Sequence, residues 1–148
     1  MPNSSKRSKM STIEVVTIAR GSAKLGVYSR EHCPPHATCR ELAGQWIVRI
    51  SFTFVDGSVG LLSTHARQQM PNTRAINDLA AAVQRNLPEC RRLWWLYQQN
   101  NPLIQAEGPC CLNNTMVAGE MVVAATYDPA TRRTTMRFSD GTIVVRTV

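Results

Sequence analysis

The hydrophobic pattern of this chain changes period twice, and that limits the folds open to it. From Gln45 to Val55, Trp46, Val48, Ile50, Phe52 and Phe54 alternate with Ile47, Arg49, Ser51, Thr53 and Val55. One face is apolar and the other mostly polar, the period of a half-buried strand. Asp56-Gly57 supplies a hairpin turn and Val59 to Leu62 a returning strand. After Pro71-Asn72-Thr73, the apolar residues Ile76, Leu79, Ala80, Val83 and Leu87 recur with helical spacing, so a helix starts there with Asn72 or Thr73 as its N-cap. Pro88 suits the first turn of a second helix. Cys90, Leu93, Trp94 and Tyr97 line one side of it, Trp95 and Leu96 widen the stripe, and Asn100-Asn101-Pro102 ends it. The period then returns to two. Met121 to Tyr127, Arg132 to Ser139 and Thr142 to Thr147 read as strands, joined at Asp128-Pro129-Ala130-Thr131 and Asp140-Gly141.

Two further β-rich stretches precede these, Thr12 to Ala19 and Lys24 to Ser29. The expected fold class is α+β: an antiparallel sheet packed against one or two amphipathic helices, with a C-terminal three-stranded β meander. The expected organisation is a flexible basic tail over 1–10, an α+β domain over 11–104, a linker or loop over 105–115, and the meander over 116–148. With 148 residues, 43% hydrophobic and 18% charged, the chain has the composition of one globular domain. No apolar run approaches the ~20 residues of a membrane helix, and no hydrophobic region follows the basic N-terminus, so a cytoplasmic location without a membrane partner is expected. Five cysteines, two of them adjacent at Cys110 and Cys111, argue for free thiols and against a disulfide framework.

Seventeen basic residues oppose ten acidic ones, for a net charge of +7, and all the basic residues except Lys6, Lys9 and Lys24 are arginines. Arginine offers a planar, permanently charged fork that matches phosphate and carboxylate. The excess points to nucleic acid or an acidic protein as partner, with Arg49, Arg67, Arg91 and Arg92 as candidate binding residues and Arg74 and Arg85 expected on the same face. A solvated arginine-rich exterior with no partner fits the same count. Trp46, Trp94, Trp95 and Tyr97 are expected in the core, although an exposed one would give a platform for single-stranded bases. Exposed hairpins leave room for pairing between copies in a homo-oligomer.

The peptide Glu31-His32-Cys33-Pro34-Pro35-His36-Ala37-Thr38-Cys39-Arg40 is the one candidate for chemistry. If its prolines hold it near polyproline II, at ~3.1 Å per residue, His32 and His36 stand roughly 12 Å apart. That spacing and the absence of Cys-x-x-Cys speak against a metal site, and no cofactor is implied. If residues 36–40 are extended, His36, Thr38 and Arg40 share a face. His32, His36 and Arg40 are then candidate catalytic residues for acid–base chemistry on a phosphodiester, with His65 as a histidine from elsewhere and ribonuclease as the activity. Histidines that merely order a loop are the simpler reading.

Residues 24–100, through Tyr28-Ser29-Arg30-Glu31-His32-Cys33-Pro34-Pro35-His36 and the strand, hairpin and helix that follow, resemble a small bacterial domain family of unknown function. Its signature is His-x-Pro-Pro-His-x-His. The stretches Val122 to Tyr127 and Phe138-Ser139-Asp140-Gly141-Thr142 resemble the short β-rich family that accompanies it. That pairing implies a toxin–antitoxin arrangement, here in one chain. His32, Pro34, Pro35 and His36 match the signature, but Thr38 stands where the third histidine would be. If the family's histidines act together, this chain lacks the activity or uses Cys39 or His65 instead.

Overall fold

The computed structural model describes residues 8–99 and 110–148. Among these, a five-stranded antiparallel sheet comes first: β1 (Met10–Ile18), β2 (Gly21–Tyr28), β3 (His36–Glu41), β4 (Trp46–Phe52) and β5 (Val59–Ala66), each paired with the next. Two helices follow, α1 (Thr73–Arg85) and α2 (Leu87–Gln98). A second antiparallel sheet closes the chain, with β6 (Met116–Val117), β7 (Glu120–Asp128), β8 (Arg133–Phe138) and β9 (Ile143–Thr147) in sequential order. The fold is mixed α+β, as the changes of period imply.

The alternation of β4 decides which face of the first sheet is covered. Val48 lies opposite Cys39, which lies opposite Leu25, and Ile50 lies opposite Ala37; all five are fully buried. Because paired residues of neighbouring strands project from the same face, these form one apolar surface. Against it pack Ala75, Leu79, Ala82 and Val83 of α1 and Leu87, Cys90, Leu93 and Trp94 of α2. Burying one large aliphatic or aromatic side chain contributes about 1.5–3 kcal/mol, so this layer dominates the stability of the first sheet. Asn72 caps α1, its side chain accepting a hydrogen bond of 2.8 Å from the Ala75 amide.

The second sheet adds to the same core. Thr134 donates its hydroxyl to the Phe54 carbonyl just beyond β4. The Tyr127 ring lies 4.8 Å from that of Phe54 and 6.3 Å from that of Trp95, edge to face in both cases. Val122, Met136 and Phe138 are buried beside it. Its β8–β9 turn relies on Gly141 at φ +90°, a conformation that glycine adopts freely.

Several expectations need correction. The C-terminal meander has four strands, not three. Met116 and Val117 pair with Met121 and Glu120 across a turn at Ala118-Gly119, a strand too short for alternation to reveal. The segment after Pro35 is a strand in its own right, although His36, Ala37, Thr38 and Cys39 are all buried and show no alternation. The double-proline peptide is not a polyproline spacer; it turns, with a cis bond between Cys33 and Pro34. Cys33 and Cys111 form a disulfide, with Cα atoms 5.6 Å apart and a sequence separation of 78. Only Cys39, Cys90 and Cys110 are free among the cysteines, and all three are buried. Of the expected tail, residues 1–7 lie outside the described residues, whereas Met10 already opens β1. The helix stop at Asn100-Asn101-Pro102 and residues 105–109 of the expected linker also lie outside them. Among the described residues, no helix is long and apolar enough to cross a membrane.

Candidate functional site

The histidine peptide is built into the body. The His36 side chain is 4% exposed and its ring sits 5.2 Å from that of Trp94 in α2. Nδ1 is 2.8 Å from the Pro34 carbonyl oxygen, so Nδ1 carries the proton and donates. Nε2 faces the Glu31 carboxylate at 3.4 Å, an ion-pair distance without a well-aligned hydrogen bond. Burial alone would raise the Glu31 carboxyl. The contact with His36 and the nearby charges of His36, Arg49 and His32 outweigh it and hold the group below its usual 4.5. His32 is exposed and the Cys39 side chain belongs to the helix-covered face. Burial pushes the thiols of Cys39, Cys90 and Cys110 up to about 12, leaving them protonated and inert as nucleophiles. Among the described residues, no three histidine, cysteine or acidic side chains gather as metal ligands would.

His36 therefore does not join Arg40 in a shared cleft. The two residues alternate onto the same side of β3, as an extended strand requires, but Thr38 between them is closed over and Arg40 stands in a different company. Lys24 of β2 lies beside Arg40 of β3, Arg40 beside Ile47 of β4, and Ile47 beside His65 of β5. The four form one row across four strands, flanked on β1 by Val15. At ~4.8 Å between strands, Lys24 and His65 are about 14 Å apart along it. Lys24, Arg40 and His65 are exposed, and Arg67 is exposed just beyond β5.

The adjoining row, Gly26–Thr38–Arg49–Ser63, is less open. Thr38 is 1% exposed, its hydroxyl without a hydrogen-bond partner among the described residues. A Cβ on Gly26 would come within 2.3 Å of the Ser11 carbonyl oxygen and 2.8 Å of the Met10 side chain, so glycine is needed where β1 passes this closely. Arg49 is half-buried.

Two depressions flank Arg40 and share Arg40 and Gly44 as wall. The larger, about 450 Å³, is lined also by Met10, Thr12, Lys24, Tyr28 and Leu42. The smaller, about 240 Å³, is lined by Gln45, Ile47, His65 and Arg67. Arg40 Nη1 donates a 2.8 Å hydrogen bond to the Tyr28 hydroxyl, which orients the guanidinium while leaving its other N–H groups for a ligand. Glu41 borders the larger depression, but its carboxylate accepts hydrogen bonds from the amides of Ala43 at 2.8 Å and Gln45 at 3.0 Å, and so is committed to the β3–β4 turn.

The remaining candidate arginines stand elsewhere. Arg91 is 3% exposed; its Nε donates to the Thr53 carbonyl at 2.9 Å and its Nη2 to the Asp56 carbonyl, so it fastens α2 to the loop after β4. Arg92 pairs with Glu89 on the same helix. Arg85 grips Glu14 of β1, and Arg74 is exposed on α1. These helices cover the other face of the sheet, so the six arginines do not make one patch. Trp46 and Trp94 are core, and Trp95 and Tyr97 are half-buried against it. Lys24 and Ile47 escape sequence reasoning because only the register across four strands puts them beside Arg40 and His65.

Comparison with known proteins finds no matching family model, no matching curated protein and no matching solved structure.

Proposed function

We propose that this chain is a basic interaction module that binds nucleic acid through the outer face of its five-stranded sheet. The observation that carries this reading is the in-register row Lys24–Arg40–Ile47–His65, with Arg67 at its end and Glu41, the acidic side chain bordering it, tied up in a turn. Lys24, Arg40 and Arg67, which make no ion pair among the described residues, attract a polyanion. The overall charge of +7 favours the same class of partner. The resemblance to the His-x-Pro-Pro-His-x-His family supplies a setting, a toxin–antitoxin pair, in which such a module would act. A ribonuclease built on His36 is the weaker reading, because that imidazole is packed on Trp94 and turned towards Glu31.

The test is fluorescence anisotropy with labelled oligonucleotides between 50 and 200 mM salt, a range over which phosphate-driven affinity drops steeply. Binding should fall linearly on a log–log plot against salt, and Arg40→Glu should abolish it. No binding at 50 mM salt, or binding indifferent to salt, overturns the reading. Capture of polyglutamate in preference to nucleic acid would assign the surface to an acidic protein.

A further inference from the structure

We infer that the ligand of this face is a single strand of nucleic acid, laid across the β-strands from β2 towards β5 rather than along them. The inference rests on the reading just given and narrows it to one substrate class and one path.

Three observations carry it. The first is the direction of the row: Lys24, Arg40 and His65 come from three strands at one level of the sheet, so these polar side chains run perpendicular to the strands over about 14 Å, with permanent charge at Lys24 and Arg40. Beyond it, Arg67 extends the path, its amide bonded to the Gln45 carbonyl at 2.9 Å and its side chain lining the depression that also holds His65. The second is what lies between the charges. Ile47 is part of the row, Val15 flanks it at 52% exposure, and Tyr28 and Leu42 line the depression on its other side. A single strand carries phosphates on one edge and uncovered base faces on the other, and needs apolar or aromatic surface beside cations. A duplex keeps its bases stacked inside and would leave Ile47, Val15 and Leu42 without a partner. The third is confinement. The neighbouring row is shut at Gly26 and Thr38, where Met10 and the β1 main chain lie close. The open surface is therefore a band at the β3–β4 turn end of the sheet. The second sheet meets the molecule near Phe54, beyond the opposite end of β4.

Arg40 is the centre of this band. It is common to both depressions, and Tyr28 holds its guanidinium in place before any ligand arrives. A guanidinium fixed beforehand loses less side-chain freedom when it takes a phosphate.

The experiment compares a labelled single strand of about 16 nucleotides, the upper end of site sizes for small single-strand binding folds, with the duplex of the same sequence. Both are titrated by anisotropy against the full chain and its Lys24→Ala, Arg40→Ala, Ile47→Ser and Arg133→Ala variants, with circular dichroism as the check on folding. The single strand should bind at least tenfold more tightly than the duplex. Lys24→Ala and Arg40→Ala should each reduce the log–log salt slope by about 0.7, the value for one phosphate contact on a single strand. Ile47→Ser should weaken binding without changing that slope, and Arg133→Ala on β8 should change neither. Duplex binding as tight as or tighter than single-strand binding overturns the inference and leaves the nucleic-acid reading standing. Single-strand preference with slopes unchanged in Lys24→Ala and Arg40→Ala overturns the path. No binding of either form overturns both.

Discussion

Two adjacent arginines of α2 show how little a sequence neighbour shares on a helix. Successive residues point about 100° apart, so Arg91 falls in line with Leu87, Trp94 and Gln98, all buried, whereas Arg92 looks outward. The Arg91 guanidinium is a buried charge whose compensation is two carbonyl oxygens, those of Thr53 and Asp56. Burial pulls its pKa below the ordinary arginine value, opposed by the nearby Asp56 carboxylate. Arg91→Ala leaves those carbonyls without their donor and a void where the buried side chain stood, and should cost about 2–4 kcal/mol in urea-induced unfolding. Arg92→Ala removes only an exposed i,i+3 pair with Glu89 and should cost under ~0.5 kcal/mol. Equal losses for the two would mean that the carbonyl bonds of Arg91 contribute nothing to stability.

At the scale of elements, the edge strand β1 is held by more than its ladder. The register slips between Thr12 and Glu14, and the Glu14 carboxylate meets Arg85 at 3.2 and 2.5 Å and Asn86 at 2.9 Å, at the C-terminal end of α1. The hydrogen bond from Arg85, then that from Asn86, lowers the Glu14 pKa from its ordinary 4.5. A carboxylate lowered on folding contributes stability above its unfolded value and loses that contribution as pH falls through the folded one. The wild type should therefore lose stability as pH drops below about 4.5, and Glu14→Gln should flatten that limb in thermal melts from pH 6 to 3. At neutral pH the same variant should cost no more than about 1 kcal/mol, since Arg85 is more than half exposed. Unchanged acid limbs would dismiss the pair as a pH-dependent clasp. The elements themselves were legible where one face was wet. The β4–β5 hairpin, both helices and the Asp140-Gly141 turn follow from period and turn chemistry, although the strand expected through Val55 ends at Phe52 and Asp56-Gly57 lies within a longer loop over 53–58. β3 was not, because a central strand buried on both sides carries no alternation, and β6 is only two residues long. Of the candidate site, Arg40, His65 and Arg67 were visible as residue types. Their association with Lys24 and Ile47 was not, since it depends on three strand pairings that no local pattern records.

For the molecule as a whole, one covalent link ties the first sheet to the segment that leads into the second. Cys33 lies in the turn before β3 and Cys111 in the segment that leads into the second sheet, 78 residues further on. The expectation of free thiols came from an odd cysteine count and an adjacent pair. It failed because Cys110 and Cys111 point to different places, one into the core and one to Cys33. Closing a loop of that length restricts the unfolded chain by about 4 kcal/mol in the chain-entropy account, with measured effects commonly about 2–4 kcal/mol. Dithiothreitol and Cys33→Ser should each lower the unfolding free energy by that amount, and the two together should do no more than either alone. Reductant should leave Cys39, Cys90 and Cys110 silent in the folded state, because their buried thiols stay protonated. Thiol titration of the oxidised, denatured chain should then count three free cysteines. A count of five, with urea midpoints identical in the presence and absence of reductant, would show that the tie between the double-proline turn and the second sheet does not form in solution.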